Sequence, residues 1–303
     1  MPQVNEQFDI KHISVSGFCT FERCPFRYFL KNLCNYNLPD QKMLAADYGK
    51  CMHCCLPLCY DGSAQKAVEL FCALWNNYPY GMDDKIRNPI TATKSLIQFA
   101  FDRQKSNRIY NPVKLQIPQP KLSDEEISDY EMVFCIDIGG KLPFVGRIDM
   151  PIEMKTDGSI WPMDYKTSRE VSERLFENSL NCNPQCIGYT LAMSHLTGTL
   201  SKGCAFEVVR SSDKNAESQF MPVYVSEFMI SEFIAALNRQ SENITNCNDQ
   251  MSWPRKRTGC DPYSLYYIPG YGCEYKKLCA MQNWEDVLPY YRRDKQYKLI
   301  ELD

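Results

Sequence analysis

The chain carries Gly146-Arg147-Ile148-Asp149 and, fifteen residues after that aspartate, Asp164-Tyr165-Lys166. These two segments constrain the fold more than any others, because both read as strands and both place charge among apolar residues. Strand side chains alternate between faces with period two. In Ile160 to Ser168, Trp161, Met163 and Tyr165 share an apolar side, and Asp164 and Lys166 share the other. In Val145 to Met150, Ile148 and Met150 point one way while Arg147 and Asp149 point the other. The intervening Lys155-Thr156-Asp157-Gly158-Ser159 is a turn signal. The spacing therefore predicts a hairpin with Asp149, Asp164 and Lys166 on one polar face. Two carboxylates can hold a hard cation such as Mg2+ or Mn2+. Such a cation polarises a phosphate and acidifies a bound water, and a neighbouring lysine can orient that water or steady the developing charge. A solvated strand face with a cross-strand ion pair would use the same residue types, so the motif needs company.

The company is present on both sides. Downstream, Asn183 to Leu196 reads as a helix, with Asn183 as N-cap and Pro184 at its first position. Gln185 and Tyr189 stand four apart and share a face of it. Upstream, Ala45 to Tyr60 reads as another helix, with His53 following Gly49. The ordered His, GxxD, DxK and QxxxY resembles the RecB-like branch of the PD-(D/E)XK nucleases. That branch includes the CRISPR adaptation nuclease, the AddB nuclease domain and many phage exonucleases. The resemblance runs from His53 to Tyr189 and departs from the name-giving motif at Met163, where proline stands in the family. It implies a restriction-endonuclease-like α/β core: a mixed central sheet flanked by helices, with a helical and Cys-rich extension. It implies that His53, Asp149, Asp164 and the backbone carbonyl of Tyr165 bind Mg2+ or Mn2+, that Lys166 acts on the water, and that Gln185 and Tyr189 position substrate or the lysine. It further implies DNA as partner, with an exonuclease acting on single-stranded DNA or DNA ends.

Sixteen cysteines is high for a chain expected in a reducing compartment, so metal or core roles lead over disulfides. Cys51, Cys54, Cys55, Cys59 and Cys72 lie in apolar helical sequence and read mostly as core, as do Cys135, Cys186 and Cys204. A CxxCC metal site is the alternative at the first group. The C-terminal group differs, because Cys260 and Cys273 flank a turn-rich segment and Cys279 follows with five residues between. The same nuclease branch often carries a 4Fe–4S cluster, held by one N-terminal Cys before a proline and three near the C-terminus. The resemblance thus implies Cys24, Cys260, Cys273 and Cys279 as its ligands, with Cys19 and Cys247 in reserve. A zinc site of Cys247, Cys260, Cys273 and Cys279 remains open, since four thiolates suit either metal.

A length of 303 residues, 44% hydrophobic, fits one large folded unit, read here as a single nuclease domain with a core at about 43–225 and ends, 14–33 and 247–303, joined by the cluster. The net charge of −3 gives no global basic signature for nucleic acid, but local patches can serve. Trp253-Pro254-Arg255-Lys256-Arg257, Lys276-Lys277, and Arg292-Arg293 with Lys295 and Lys298 interleave with Tyr263, Tyr266, Tyr267, Tyr271 and Tyr275, rings able to stack on unpaired bases. No apolar run is long enough for a membrane span and the N-terminus is unlike a secretory signal, so a cytoplasmic chain is expected. Helices are predicted from Ser14 or Ser16 to Leu33, at Met43 to Tyr60, Ala64 to Asn76, Ala92 to Lys105 and Glu227 to Asn246. Strands are predicted at Tyr130 to Ile138, Leu142 to Ile152, Ile160 to Thr167, Gly203 to Arg210 and Gln219 to Val225, with Asn111 to Ser123 as a connector. Two other readings stand beside a nuclease: a non-catalytic DNA- or partner-binding module of the same fold, and a zinc-stabilised interaction protein.

Overall fold

The computed structural model describes residues 7–37, 44–61, 63–80, 87–106, 109–117, 130–168, 182–211, 216–256, 273–275, 278–279 and 292–293. Its centre is a mixed sheet of β3 (Tyr110–Pro112), β6 (Met150–Met154), β7 (Ile160–Ser168), β8 (Gly203–Arg210) and β9 (Ser218–Tyr224), in that spatial order. The β7–β8 pair is parallel and the other three are antiparallel. A second, smaller sheet orders β1 (Ile13–Ser14), β5 (Phe144–Ile148) and β4 (Met132–Ile136). Between β4 and β5 the chain turns through Gly139, whose φ of 77° lies in the left-handed region that glycine enters without steric cost.

Alternation along β8 divides the interior in two. Cys204, Phe206 and Val208 enter one apolar cluster, while Ala205 and Val209 enter the other. On the first face pack α1 (Val15–Arg23), α6 (Pro184–Thr197) and α7 (Glu227–Asp249), through Phe18, Leu191 and Phe233 among others. The opposite face is covered by α3 (Leu44–Cys55), α4 (Ala64–Trp75) and α5 (Pro89–Ser106), through Met52, Phe71 and Phe99. The chain is thus a mixed α/β fold with helices on both sides of the main sheet. Among the described residues no helix is long and apolar enough to cross a membrane.

Three expectations are corrected. The predicted first helix breaks at Cys24, which is extended (φ −167°) because Pro25 follows and disfavours a helical residue before it. It resumes as α2 (Pro25–Tyr28) and ends in a π turn over Phe29–Leu33. At the start of the expected connector, Asn111 and Pro112 belong with Tyr110 to β3, an edge strand, where proline costs no ladder hydrogen bond to a further neighbour. Most consequentially, Val145 to Met150 is not one strand. It leaves the small sheet after Ile148 and joins β7 only from Met150, so that Ile148 and Met150 enter different cores. Asp149 stands at the crossing.

Gly146 explains itself in this frame. It faces Phe134 across the β4–β5 ladder, and a Cβ there would come 2.5 Å from the Phe134 ring. That ring is fully buried and cannot swing away. Gly146→Ala is therefore expected to cost about 1–3 kcal/mol as an overpacked core position, read as a lower urea midpoint at unchanged slope. A midpoint equal to wild type would mean that the two strands are not in this register.

The first helices meet the described part of the C-terminal segment. Arg27 and Glu274 form a half-buried ion pair at 2.9 Å, Trp253 stacks on Phe29 at 5.5 Å, and Phe26 N donates to Pro254 O. β10 (Arg292–Arg293) pairs antiparallel with β2 (Tyr36–Asn37).

Candidate active site

The crossing between sheets brings Asp149 beside β7. Its Oδ2 accepts the Tyr165 backbone N–H at 2.9 Å and lies 3.1 Å from His53 Nδ1. His53 reaches it from the C-terminal part of α3 and stays one-third exposed. Asp164 and Lys166 share the other face of β7, as alternation requires, and Lys166 Nζ lies 2.5 Å from Asp164 Oδ2. From α6, Gln185 locks both. Its Oε1 accepts from Lys166 Nζ at 2.9 Å, and its Nε2 donates to Asp164 Oδ1 at 2.9 Å and to the Tyr189 hydroxyl at 3.0 Å. The helix start that aims Gln185 is the predicted one, with the Asn183 side chain accepting from Gln185 N and Pro184 next in line. All six side chains singled out in the sequence, His53, Asp149, Asp164, Lys166, Gln185 and Tyr189, thus converge, together with the backbone of Tyr165.

The electrostatics of the cluster are those of two carboxylates forced together. Burial raises the Asp164 carboxyl and the charge of Asp149 raises it further, to about 6, against the pull of Lys166 and His53. Burial also works against ionised Asp149, but the His53 charge and hydrogen bond, then the Tyr165 N–H and Lys166, hold it below the usual carboxylate range. The His53 imidazole, lowered by burial, is carried above its ordinary value by Asp149. So one carboxylate is comfortably ionised and the other is not. Asp164 Oδ2 carries no well-directed hydrogen bond despite the nearby ammonium. Among the described residues no three His, Cys, Asp or Glu side chains already stand in ligating geometry. The donor chemistry nonetheless fits a hard divalent cation: two repelling carboxylates, one of them with an under-used oxygen, and an imidazole.

The cysteines divide as follows. Cys51, Cys55 and Cys59 are buried, and burial pushes the Cys51 and Cys59 thiols up to about 12, the behaviour of inert core thiols. Cys186 and Cys204 are buried too, whereas Cys72 and Cys135 are half-buried and Cys54 is exposed, against expectation, because it points off the packed stripe of α3. Cys24 and Cys273 lie in one apolar cluster, with Cys279 and Cys247 packed against it. Cys260 lies outside the described residues, as do Tyr263, Tyr266, Tyr267, Tyr271, Lys276, Lys277, Lys295 and Lys298. Tyr275 is no stacking platform. It is 1% exposed, and its hydroxyl donates to Tyr36 O. Trp253 is likewise buried against Phe29. Arg255 lies over the Phe26 ring and donates to Cys279 O, so this part of the basic stretch holds the tail in place.

Sequence reasoning missed a second polar group beneath the site. Glu207, fully buried on β8, pairs with Arg103 of α5 and with Tyr110. Its one signal is a lone carboxylate in the apolar run Cys204-Ala205-Phe206-Glu207-Val208-Val209.

Two solved structures match along most of the chain at low identity. One, described as "Putative exonuclease" from Eubacterium rectale, is 14% identical, with a TM-score of 0.45 over 89% of this chain and 93% of that one. The other, SSO0001, is 10% identical, with a TM-score of 0.30 over 91% and 90%. No curated protein matches. At these TM-scores the assignment rests on sequence, and there the match is long. The family model for the PD-(D/E)XK nuclease superfamily covers residues 12–280, from the strand before α1, through the crossing at Asp149 and the Asp164–Lys166 pair, to the tail. The chain belongs to the PD-(D/E)XK nuclease superfamily.

Proposed function

We propose that the protein is a Mg2+- or Mn2+-dependent deoxyribonuclease of the RecB-like branch, shortening DNA from single-stranded or free ends. The observation that carries it is the Lys166 ammonium held between Asp164 and Gln185, with Asp149 fixed beside them by the Tyr165 N–H and His53. A structural ion pair needs one carboxylate, and this site keeps two together at a cost to Asp164. His53, Asp149, Asp164 and the Tyr165 carbonyl would hold the cation. When bound, it supplies polarisation of the scissile phosphate and acidification of a water.

The chain's own residues do the rest. Lys166 presents a fixed positive charge, and the two-point clamp from Asp164 and Gln185 removes its freedom to wander, so its charge is in place before the phosphate develops more. Gln185 spends both N–H groups, on Asp164 and on Tyr189. Tyr189 accepts there and keeps its own proton for a phosphate oxygen. The choice of DNA and of end-dependent cutting comes from the resemblance to the RecB-like branch and from no residue pattern of this chain.

The test uses end-labelled single- and double-stranded DNA. Cleavage is expected with Mn2+ or Mg2+, absent in EDTA and restored by excess Mn2+. Mn2+ alone should raise the thermal midpoint, since a ligand at a hundred times its Kd adds about 2.7 kcal/mol to the native state. Cleavage that persists in EDTA, or no cleavage of any DNA with Mn2+, overturns the reading.

A second reading concerns the tail, favoured by the shared core of Cys24, Cys273 and Cys279. There these three thiolates, with that of Cys260 as the fourth, hold a 4Fe–4S cluster, with zinc as the alternative metal. Anaerobically purified protein is then brown, and Cys24→Ala loses iron. One zinc and no iron would assign the site to Cys247 in place of Cys24.

A further inference from the structure

Glu207 stands opposite Tyr165 in the parallel β7–β8 register and is wholly removed from water. A carboxylate in that position must be paired and hydrogen-bonded. Arg103 Nη2 approaches Oε1 at 3.3 Å, and the Tyr110 hydroxyl donates to Oε2 at 2.9 Å. Arg103 Nη1 donates to that same hydroxyl oxygen. Tyr60 and Tyr110 share a hydrogen bond of 2.7 Å. The carboxylate can only accept, so the Tyr110 proton goes to Glu207 and the Tyr60 proton goes to Tyr110. The Tyr165 hydroxyl donates to Met150 Sδ at 3.6 Å, and Phe99 stands between its ring and this chain.

Rings make the connection to Tyr165. Phe99 meets Tyr60 edge-on at 5.7 Å and Tyr165 edge-on at 6.3 Å, and the Arg103 guanidinium lies over both Phe99 and Tyr110. Tyr165 in turn meets the His53 ring edge-on at 5.9 Å, while its backbone N–H holds Asp149. The buried ion pair is therefore connected through Phe99 to a residue that meets both His53 and Asp149.

We propose that Glu207, Arg103, Tyr110 and Tyr60 are positioning residues that fix the Tyr165 side chain, and through it His53 and the segment carrying Asp164 and Lys166. Apolar residues of similar volume often replace a buried ion pair without loss of stability, and the best-attested use of such a pair is to specify one arrangement. Here the arrangement specified is the back wall of the site. The proposal rests on the nuclease reading only for its kinetic readout.

Tyr60→Phe removes one hydroxyl from the middle of the relay, and Arg103→Met/Glu207→Leu removes the charged end as a pair, guarding against a misfolded single variant. The protein has three histidines, so the imidazole carbon–proton signal of His53 is resolvable at one fixed pH. In folded Tyr60→Phe that signal should move while those of His12 and His195 stay. The kcat for Mn2+-dependent cleavage should fall about tenfold at unchanged KM, the signature of misplaced rather than missing groups. Tyr60→Phe added to the double variant should do nothing more. An unmoved His53 signal in both folded variants overturns the relay, whatever the kinetics. If wild type cleaves no DNA with Mn2+, it is the nuclease reading that falls, and the His53 signal alone decides the relay.

Discussion

Asp164→Ala and Lys166→Ala are each expected to reduce metal-dependent cleavage about a hundredfold or more while leaving the protein folded. The first change removes one arm of the clamp and the oxygen that would face the cation, and the second removes the clamped charge that would face the phosphate. The stability of the variants separates function from structure. A structural ion pair would lose stability when Asp164 goes. Here Asp164 is 3% exposed and pushed up to about 6 by burial and by Asp149, so its removal relieves repulsion, and Lys166, one-third exposed, can turn to water. Metal-free Asp164→Ala should melt at or above the wild-type temperature, and it should lose the increase that Mn2+ gives. Wild-type cleavage by either variant, folded by circular dichroism, would remove these residues from the mechanism.

Phe206→Ala should have the largest effect on stability, about 3–5 kcal/mol. Phe206 is fully buried on β8, pairs in register with Asp164, and carries Lys166 Nζ over its ring at 5.7 Å. Truncation would open a void in the cluster that α6 packs onto, so the face that aims Gln185 would lose its floor. Urea denaturation should show a lower midpoint with unchanged slope, and whatever folded fraction remains should cleave slowly. A loss below about 1 kcal/mol would mean that the site collapses easily and that the floor is not rigid.

Much of this was legible in the chain because it is local. The period-two pattern of Ile160 to Ser168 placed Trp161, Met163 and Tyr165 in a core and Asp164 with Lys166 on the opposite face. The cap at Asn183 aimed Gln185 and Tyr189. The crossing at Asp149 was not legible. Alternation describes which way side chains point within a strand, not where a strand changes its partner, and Val145 to Met150 alternates perfectly well across the break. Helix continuity through Cys24 was overestimated, although Pro25 was in view. The Glu207 relay was beyond reach for another reason. Its members come from a 3-10 turn, α5, β3 and β8, and only Glu207, a lone carboxylate in an apolar run, is unusual beside its own neighbours. Tyr275 was not legible because a tyrosine-rich stretch looks the same whether a ring meets solvent, as a stacking surface requires, or a core, as this one does.

The break at Asp149 also makes catalysis a gauge of strand alignment. Asp149 belongs to neither ladder, so its distance from Asp164 is set by the first rung of the other strand, Met150 against Met163. A slip of one residue between β6 and β7 would turn every side chain of one strand to the wrong face. It would also carry Asp149 away from the Tyr165 N–H by about 3.3 Å, the rise of one strand residue. Misaligned molecules are then silent as well as unstable, and specific activity measured across a refolding series counts the fraction of chains in correct register.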